Sequence, residues 1–239
     1  MKDMSEFDKH SLVHHEPFAI IRACGLCEGA SEKIVRFLSN EAHLSHADRG
    51  ETLWSAGSNA RFFCIVADGL LRLARRAPPA HEIVVELVGP GSCAGILAAL
   101  SKGPYPLTAS AVIPTTYLKL PIDIWRNAME IEPRLCDNAM RELRCRLVQS
   151  YDFLGGMTTA MVEKRLVSAL LSVHSALKSP FFERDENLPI SRQSLAEIAS
   201  TSVETTIRTT TKWQQAGWID AGYRTIRILD MDALRSLLA

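Results

Sequence analysis

The stretch "SRQSLAEIASTSVETTIRTTTKWQQAGWI", residues 191–219, decides the fold of this chain. Two short segments with helical spacing lie on either side of "STS", and each follows a serine that can act as a helix N-cap, Ser191 and Ser202. Gly217 stands where the second helix is expected to end. The hairpin signal "GWIDAGYRTIRIL" comes next, with its turn predicted at 221–222. Helix, tight turn, helix and small hairpin is the order of a winged helix-turn-helix.

The second of these helices is rich in threonine, which supplies six of the eleven residues from Thr201 to Thr211. Threonine is β-branched and has low helix propensity, so this helix needs support from its neighbours. Glu204 and Arg208 lie four residues apart and share a face. A carboxylate there can accept from cytosine N4, and a guanidinium can bind guanine O6 and N7. The alternative is an ion pair on a solvated face, which contributes only about 0.2–0.5 kcal/mol.

Ser191 and other residues of the same region are also predicted to contact DNA. Ile207 is placed to touch a thymine methyl group. A further set carries a hydroxyl or a cation suited to phosphate oxygens: Arg192, Ser202, Thr205, Thr209 and Lys212.

Composition indicates a globular protein, with 47% apolar residues, 23% charged residues and a net charge of zero in 239 residues. The sequence has no apolar run of about 18 residues and no secretory signal, so we expect a cytoplasmic protein without a membrane partner. Six cysteines in that setting favour metal, redox or packing roles over disulfides. Phosphate loops, metalloprotease motifs and nucleophile elbows are missing from the sequence, and we do not expect an enzyme.

Two further sequence patterns precede the winged helix. From Gly50 to Leu120, short apolar runs separated by glycine and turn residues predict an all-β barrel or roll. Pro78 and Pro79 are expected at the tip of one hairpin, because proline cannot donate to a ladder.

From Pro133 to about Met157, apolar residues recur at alternating spacings of four and three, which predicts a helix with a heptad seam. Such a seam either pairs with a second chain or lies against the β unit. A second helix is expected to restart after a hinge at 155–156, where two glycines occur. The seam residues predicted at a dimer interface are Met140, Leu143, Leu147 and Leu154.

With these features the chain resembles the Crp/Fnr family of bacterial transcription regulators over roughly residues 35–230. The matching stretches are "GETLWSAG", "ADGLLRL", "HEIVVELVGPGSCAG" and "SRQSLAEIASTSVETTIR" followed by "AGWI". The last stretch is the most specific, because it matches the family signature of Ser-Arg and Val-Glu-Thr-x-x-Arg at Ser191, Arg192, Val203, Glu204, Thr205 and Arg208.

The resemblance implies an α+β fold: a cyclic-nucleotide-binding-like β-roll, a long dimerisation helix and a C-terminal winged helix-turn-helix. It implies a homodimer on a palindromic operator in double-stranded DNA, with RNA polymerase as a partner if the protein is an activator. Glu204 and Arg208 match the family's base-reading pair. The expected domains are a cysteine-containing segment over 1–30, the roll over 31–130, the dimerisation helix over 131–158 and the winged helix over 159–239.

The chain departs from the family at several positions. Members that bind cyclic nucleotides carry Gly-Glu and Arg-Ser or Arg-Thr pairs, whereas this chain has Gly95 followed by Ile96, and Leu107 followed by Thr108. No cation is left in that stretch for a cyclic phosphate, so we predict that cAMP does not bind. Ser200 stands where a turn glycine is usual. Three threonines replace common apolar residues of the recognition helix: Thr206, Thr209 and Thr210.

The signal is predicted to act through cysteines. Cys24-x-x-Cys27 has the spacing of ligands for zinc or an iron–sulfur cluster, and of a redox dithiol. Cys93 is the preferred third ligand because its glycine-flanked turn is expected to leave it accessible, whereas Cys64 and Cys136 are expected in the core.

The prediction is therefore an iron–sulfur or thiol switch that responds to a redox or gas signal, with His14, His15 or an acidic residue as a candidate fourth ligand. A ligand-free regulator, a haem protein using His81 or His14, and an interaction module that does not bind DNA remain open as alternatives.

Overall fold

The computed structural model describes residues 16–77, 81–157, 162–178 and 187–238. Within these ranges the chain forms an N-terminal β-roll flanked by helices, a long helix, and a C-terminal winged helix-turn-helix. None of the helices described is both long and apolar enough to cross a membrane.

Two short helices precede the roll, and the sequence patterns did not predict them. They are α1 (Pro17–Ala23) and α2 (Glu32–Glu41), separated by a 3-10 turn over Gly25–Cys27. The buried residues of α2 are Ile34, Val35 and Leu38, whose spacing gives the helix one apolar face. That face packs into a core shared with the roll.

The predicted β unit is confirmed as a roll of two four-stranded antiparallel sheets, with strand orders β1-β8-β3-β6 and β2-β7-β4-β5. A short helix, α3 (Ile96–Ser101), lies between β6 and β7. The β4–β5 pairing, which ends at Ala77 opposite His81, confirms the predicted hairpin. The strands are β1 (His43–Ala47), β2 (Thr52–Trp54), β3 (Phe62–Asp68), β4 (Leu71–Ala77), β5 (His81–Val88), β6 (Cys93–Ala94), β7 (Thr108–Ala111) and β8 (Thr115–Pro121).

Strand β3 is buried on both faces and so separates two cores. Phe63 and Ile65 face the helices, while Cys64 and Val66 lie between the two sheets. This alternation follows from the two-residue period of a strand. Cys64 is buried in the core between the two sheets, which confirms its predicted place in the core.

Helices α4 (Ile122–Ile131), α5 (Arg134–Met157) and α6 (Val162–Ala176) follow the roll. The predicted break at the glycine pair is wrong, because α5 continues through Gly155 and Gly156 to Met157. Each glycine costs a helix about 1 kcal/mol relative to alanine, a penalty that the remaining turns of a long helix outweigh.

The C-terminal unit has the predicted order of elements. It contains β9 (Asn187–Leu188), α7 (Arg192–Ile198), α8 (Val203–Gln215), β10 (Ile219–Ala221), β11 (Ile226–Ile228) and α9 (Met231–Ser236). The three strands form one sheet in the order β10-β11-β9.

The hairpin turn lies one residue later than predicted. Ala221 is the last residue of β10 and pairs with Ile226, so it belongs to the ladder. The turn begins at Gly222, whose N–H donates to the carbonyl oxygen of Thr225 at 3.0 Å.

The roll and the winged helix share apolar packing. Leu70, Val112 and Ile113 of the roll belong to the core cluster of the C-terminal unit. At Gly89 the backbone approaches the end of α6 so closely that a Cβ atom would lie 1.7 Å from the carbonyl oxygen of Ala176. Only glycine permits this contact, which joins the two units directly.

Ser200, between α7 and α8, has a φ of 49°, in the left-handed region where a family member usually carries glycine. A side chain in that region costs about 1–2 kcal/mol. We expect Ser200→Gly to raise the free energy of unfolding by about 1 kcal/mol, because relief of strain exceeds the added entropy of the unfolded chain. Urea unfolding measures this change.

Ser200→Ala is the matched control, because alanine keeps the Cβ atom and should give no gain. Equal stability of the glycine and alanine variants would show that Ser200 is not strained.

Candidate nucleic-acid interface

Helices α7 and α8 begin at the predicted serine caps. The Ser191 Oγ accepts from the Ser194 backbone N–H at 3.0 Å, and the Ser202 Oγ accepts from the Thr205 N–H at 3.1 Å. The capping residues therefore satisfy donors that a helix start would leave unpaired. Ser191 and Ser202 are the N-cap residues of the two helices, and the phosphate contact predicted for Ser202 would fall at the start of α8.

Helix α8 also ends as predicted. Gly217 has a φ of 77°. Its N–H donates to the Gln214 carbonyl at 3.1 Å, and the Trp218 N–H donates to the Trp213 carbonyl at 2.9 Å. This pair of bonds is a Schellman motif, which requires a left-handed residue and favours glycine.

The inner face of α8 explains how threonine replaces apolar residues there. Thr206, Thr210 and Trp213 are almost completely buried. The Thr206 Oγ1 donates to the Ser202 carbonyl at 3.0 Å, and the Thr210 Oγ1 donates to the Thr206 carbonyl at 2.8 Å. Because each hydroxyl bonds within its own helix, the methyl group can pack without an unsatisfied polar atom.

Two longer side chains link the inner face of α8 to neighbouring elements through hydrogen bonds. The Trp213 Nε1 donates to Glu163 Oε1 on α6 at 3.0 Å. The Arg192 guanidinium donates to Thr210 Oγ1 at 3.0 Å, to Gln214 Oε1 at 3.3 Å and to the Ala221 carbonyl at 3.1 Å. Arg192 thus braces α7, α8 and the wing together. The sequence did not indicate this role, and the phosphate contact expected of Arg192 stays a prediction.

The outer face of α8 is exposed and carries the predicted base-reading pair. Glu204 and Arg208 make no hydrogen bond or ion pair with any residue described. The structure therefore does not show the alternative, an ion pair between these two side chains. Ile207 is 48% exposed beside them. Charged and apolar side chains on this face are therefore available to a partner.

The predicted phosphate contacts divide between the two faces. Lys212 is exposed and Thr205 is half-buried at the first turn, both open to the outer side. Thr209 is only 9% exposed and faces inward, so its predicted phosphate contact is wrong. The threonine pattern hid this because a hydroxyl suits either environment.

The four cysteines at and near the predicted metal site are all buried. Cys24, Cys27 and Cys93 lie in one core cluster, and Cys93 belongs to β6 rather than to an accessible turn, which corrects that prediction. Burial raises the pKa of the Cys27 thiol to about 12 and also raises the pKa values of Cys24, Cys64 and Cys93. Metal ligation needs thiolates, which this apolar setting disfavours.

These residues do not fit a metal centre. In the described part of the chain, no group of three or more His, Cys, Asp and Glu side chains is arranged to hold a metal ion. The prediction that Cys24, Cys27 and Cys93 supply three ligands is therefore not met by this arrangement. His14 and His15 lie outside the described residues, as does the side chain of His81.

A cation that sequence reasoning missed reaches the edge of the roll from α5. The Arg146 guanidinium contacts the Cys93 carbonyl and lies 3.4 Å from its Sγ. It also forms ion pairs with Glu86 at 3.0 Å and with Glu142 at 3.0 Å. Burial raises the pKa of Glu86 even though Arg146 opposes this shift. No local motif signals the contact, because Arg146 lies far from Cys93 in the sequence.

The space between the two sheets is filled by side chains. Trp54 stacks on Tyr105 with ring centroids 4.4 Å apart, and Phe62 meets Trp54 edge-on at 5.6 Å. The Trp54 Nε1 donates to the carbonyl of Leu107, one of the two residues that replace the usual Arg-Ser pair. The aromatic side chains are held by these contacts.

The heptad seam of α5 is partly exposed. Met140 and Leu147 are 60% and 52% exposed, whereas Leu143 is half-buried against the roll. Cys136, expected in the core, is exposed on the same helix. The side chain of Leu154 lies outside the description. The sequence pattern missed Val148, which is 52% exposed next to Leu147.

Comparisons with known proteins agree with this geometry. A cyclic nucleotide-binding domain model matches residues 44–132, and a Crp-like helix-turn-helix domain model matches residues 164–237. The nitrogen fixation regulation protein FixK of Bradyrhizobium diazoefficiens is 25% identical over 221 residues, which cover 92% of each chain. The CRP-like cAMP-activated global transcriptional regulator of Mycobacterium tuberculosis is 21% identical over 220 residues, 90% of this chain and 96% of the relative.

The solved structure of FixK2 from Bradyrhizobium japonicum shares the fold, with a TM-score of 0.71 at 18% identity over 83% of this chain and 98% of that one. The chain belongs to the Crp/Fnr family and is a DNA-binding transcription regulator of that type.

The burial of the thiols predicts their reactivity. In the folded protein at pH 8, iodoacetamide should modify at most two of the six cysteines, Cys136 and Cys145, because the other four are buried and their thiolates are suppressed. Mass spectrometry of the intact and digested protein measures this. The denatured control should carry six adducts. Rapid labelling of Cys24, Cys27 or Cys93 would contradict the arrangement described.

Proposed function

We propose that the protein acts as a homodimer that reads a palindromic operator in double-stranded DNA, with helix α8 of each protomer in one major groove. One observation carries this proposal: Glu204 and Arg208 are exposed and uncommitted on a helix whose opposite face is locked in place. It acts in the cytoplasm as a regulator rather than as an enzyme.

The chemistry of the outer face suits base reading. The Arg208 guanidinium can bind guanine O6 and N7 bidentately, and the Glu204 carboxylate can accept from cytosine N4. Ile207 adds an apolar contact for a thymine methyl group. Ser202 and Thr205 at the helix start and Lys212 further along it supply phosphate contacts, which position the helix without specifying sequence.

We expect Arg208→Ala to weaken operator binding by about 1–3 kcal/mol and to relax selection at one base position, because it removes a bidentate base contact. Lys212→Ala, the comparison variant, should weaken binding to all sequences about equally. Titration of operator variants with each protein, followed by gel retardation at fixed salt, separates the two effects.

The double variant Glu204→Ala with Arg208→Ala should lose selective binding altogether. If that double variant still selects the operator, α8 is not the reading helix. An interaction module that does not bind DNA would show no operator retardation even in the unmodified chain.

The exposed seam of α5 supports the homodimer. Met140 and Leu147 lie seven residues apart, two turns along one face, and both are more than half exposed. In a two-fold symmetric pair, the same stripe of each protomer covers that of its partner. This arrangement would bury the apolar side chains and fix the spacing of the two recognition helices.

We expect Leu147→Asp combined with Met140→Asp to convert the dimer to a monomer, because each carboxylate would be buried without a partner. Light scattering after size-exclusion chromatography measures the mass. Val85→Asp is the matched control, because Val85 is a 41% exposed apolar residue of β5 in the roll. A dimer that survives the double substitution would place the interface elsewhere.

We also propose that the regulator works without cAMP. The Arg146 guanidinium, which contacts Cys93 at this edge of the roll, is already paired with Glu86 and Glu142, so two carboxylates oppose an incoming phosphate. Aromatic side chains occupy the space between the sheets. Isothermal calorimetry with cAMP should show no micromolar binding.

The signal is proposed to be redox, acting at the buried thiol cluster of Cys24, Cys27 and Cys93. The support is Arg146, which contacts Cys93 at one end and belongs to the dimer helix at the other. The Arg146 side chain extends from α5 to Cys93. Oxidation at Cys93 would therefore change the contacts of Arg146 and with them the position of α5. A thiol switch needs only two neighbouring thiols, whereas the described residues offer no set of three or more side chains arranged to hold a metal. Because these thiols are buried, we expect their oxidation to be slow.

Treatment with diamide tests the signal: it oxidises two thiols to a disulfide and is itself reduced to the hydrazine, taking up the two protons and two electrons. Operator affinity should change several-fold in the unmodified protein and remain unchanged in Cys93→Ser. An anaerobic absorption spectrum with iron and zinc analysis decides between thiols and a metal. If operator affinity is the same before and after oxidation in a preparation free of iron and zinc, the redox proposal is refuted.

A further inference from the structure

A cleft lies between the roll and the winged helix, beside the region where the two units pack together. It has a volume of about 760 Å³, within the range of small-molecule sites. Ala111 and Val112 of the roll and Ile198 of α7 form apolar parts of its wall. The cleft is distinct from the space between the two sheets and from the outer face of α8.

Positive charge is concentrated in this cleft. Among the described residues that line it, four carry a guanidinium group, Arg49, Arg72, Arg192 and Arg224, and one carries a carboxylate, Glu197. The chain as a whole has no net charge, so the accumulation is local. Like charges around a concave surface focus the potential and attract anions.

Two of the four guanidinium groups already have strong partners. Arg72 donates to Ser110 Oγ at 2.9 Å and forms ion pairs with Glu197 at 2.9 Å and Glu82 at 3.0 Å. Arg192 is the brace that joins α7, α8 and the wing. These two side chains shape the cleft and hold the two units together.

Arg49 differs because its partners are neutral and distant. Its guanidinium lies 3.5 Å from Ser194 Oγ and 3.4 Å from the Pro189 carbonyl oxygen, at the long end of hydrogen bonding. It forms no ion pair with any carboxylate of the described ranges. A half-buried guanidinium with such weak partners is suited to a phosphate group, which it can bind through two parallel bonds.

The wing supplies a second cation and an aromatic ring. Arg224 lies over the ring of Tyr223, 5.2 Å from its centroid, and both residues line the cleft. Tyr223 is 86% exposed, so its ring can stack on a planar group. Phosphate at Arg49 and a planar base near Tyr223 together describe a nucleotide.

We propose that this cleft is a binding site for a phosphate-bearing small molecule of nucleotide size, held by Arg49 with Arg224 and Tyr223 on the wing side. Such a ligand would bridge the roll and the DNA-reading unit. The site does not depend on the redox proposal or on the dimer. Its concave, partly apolar wall favours a small molecule over a duplex, whose phosphates would reach only the rim.

Titration of the full-length protein with a fluorescent N-methylanthraniloyl derivative of ATP, and competition with ATP, GTP and pyrophosphate, tests the site. We expect saturable binding of one molecule per chain, and at least a tenfold loss of affinity in Arg49→Met, because a charge-assisted contact is removed. Arg224→Met, at an exposed wing position, should also weaken binding.

Arg75→Met is the matched control, because it removes the same charge from an exposed position of β4 outside the cleft and should leave affinity within twofold. Lack of saturable binding by every probe, or binding that Arg49→Met does not weaken, would overturn the proposal. Loss of operator affinity in Arg49→Met without nucleotide binding would also overturn it and would assign Arg49 to the DNA backbone. Operator retardation without nucleotide tests the DNA-reading function independently.

Discussion

The recognition helix depends on contacts that its own sequence does not supply. A helix of this length, rich in β-branched residues, is marginal in water. Three contacts hold it in place: the Trp213–Glu163 hydrogen bond, the Arg192–Thr210 hydrogen bond and the N-cap at Ser202. Because the inner face is fixed, the outer face can present Glu204 and Arg208 without a rearrangement on binding.

The same principle extends to the attachment of the whole DNA-reading unit. Leu70, Val112 and Ile113 carry the apolar packing from the roll into the C-terminal core. The close approach at Gly89 and the ion pair between Arg72 and Glu197 add a backbone contact and a charged contact. Apolar, backbone and charged contacts together therefore hold the C-terminal unit against the roll.

Arg146 shows how a charge can be misjudged from local motifs. The Gly95-Ile96 and Leu107-Thr108 pairs of the roll carry no charge, yet a guanidinium from α5 reaches Cys93 nearby. Two carboxylates then pair with that guanidinium. Arg146 therefore links α5 to the roll, and its charge is taken up by protein carboxylates.

The sequence by itself determined the order of elements in the winged helix, the caps of α7 and α8, the end of α8 at Gly217 and the amphipathic seam of α5. These features follow from local rules: capping oxygens, a left-handed glycine and residue periodicity. The tertiary structure alone decided that Thr209 faces inward, that Arg192 is a brace, that Cys93 is buried and that four arginines line one cleft. Such outcomes depend on contacts between residues distant in sequence, and a hydroxyl, a guanidinium or a thiol is chemically suited to either environment.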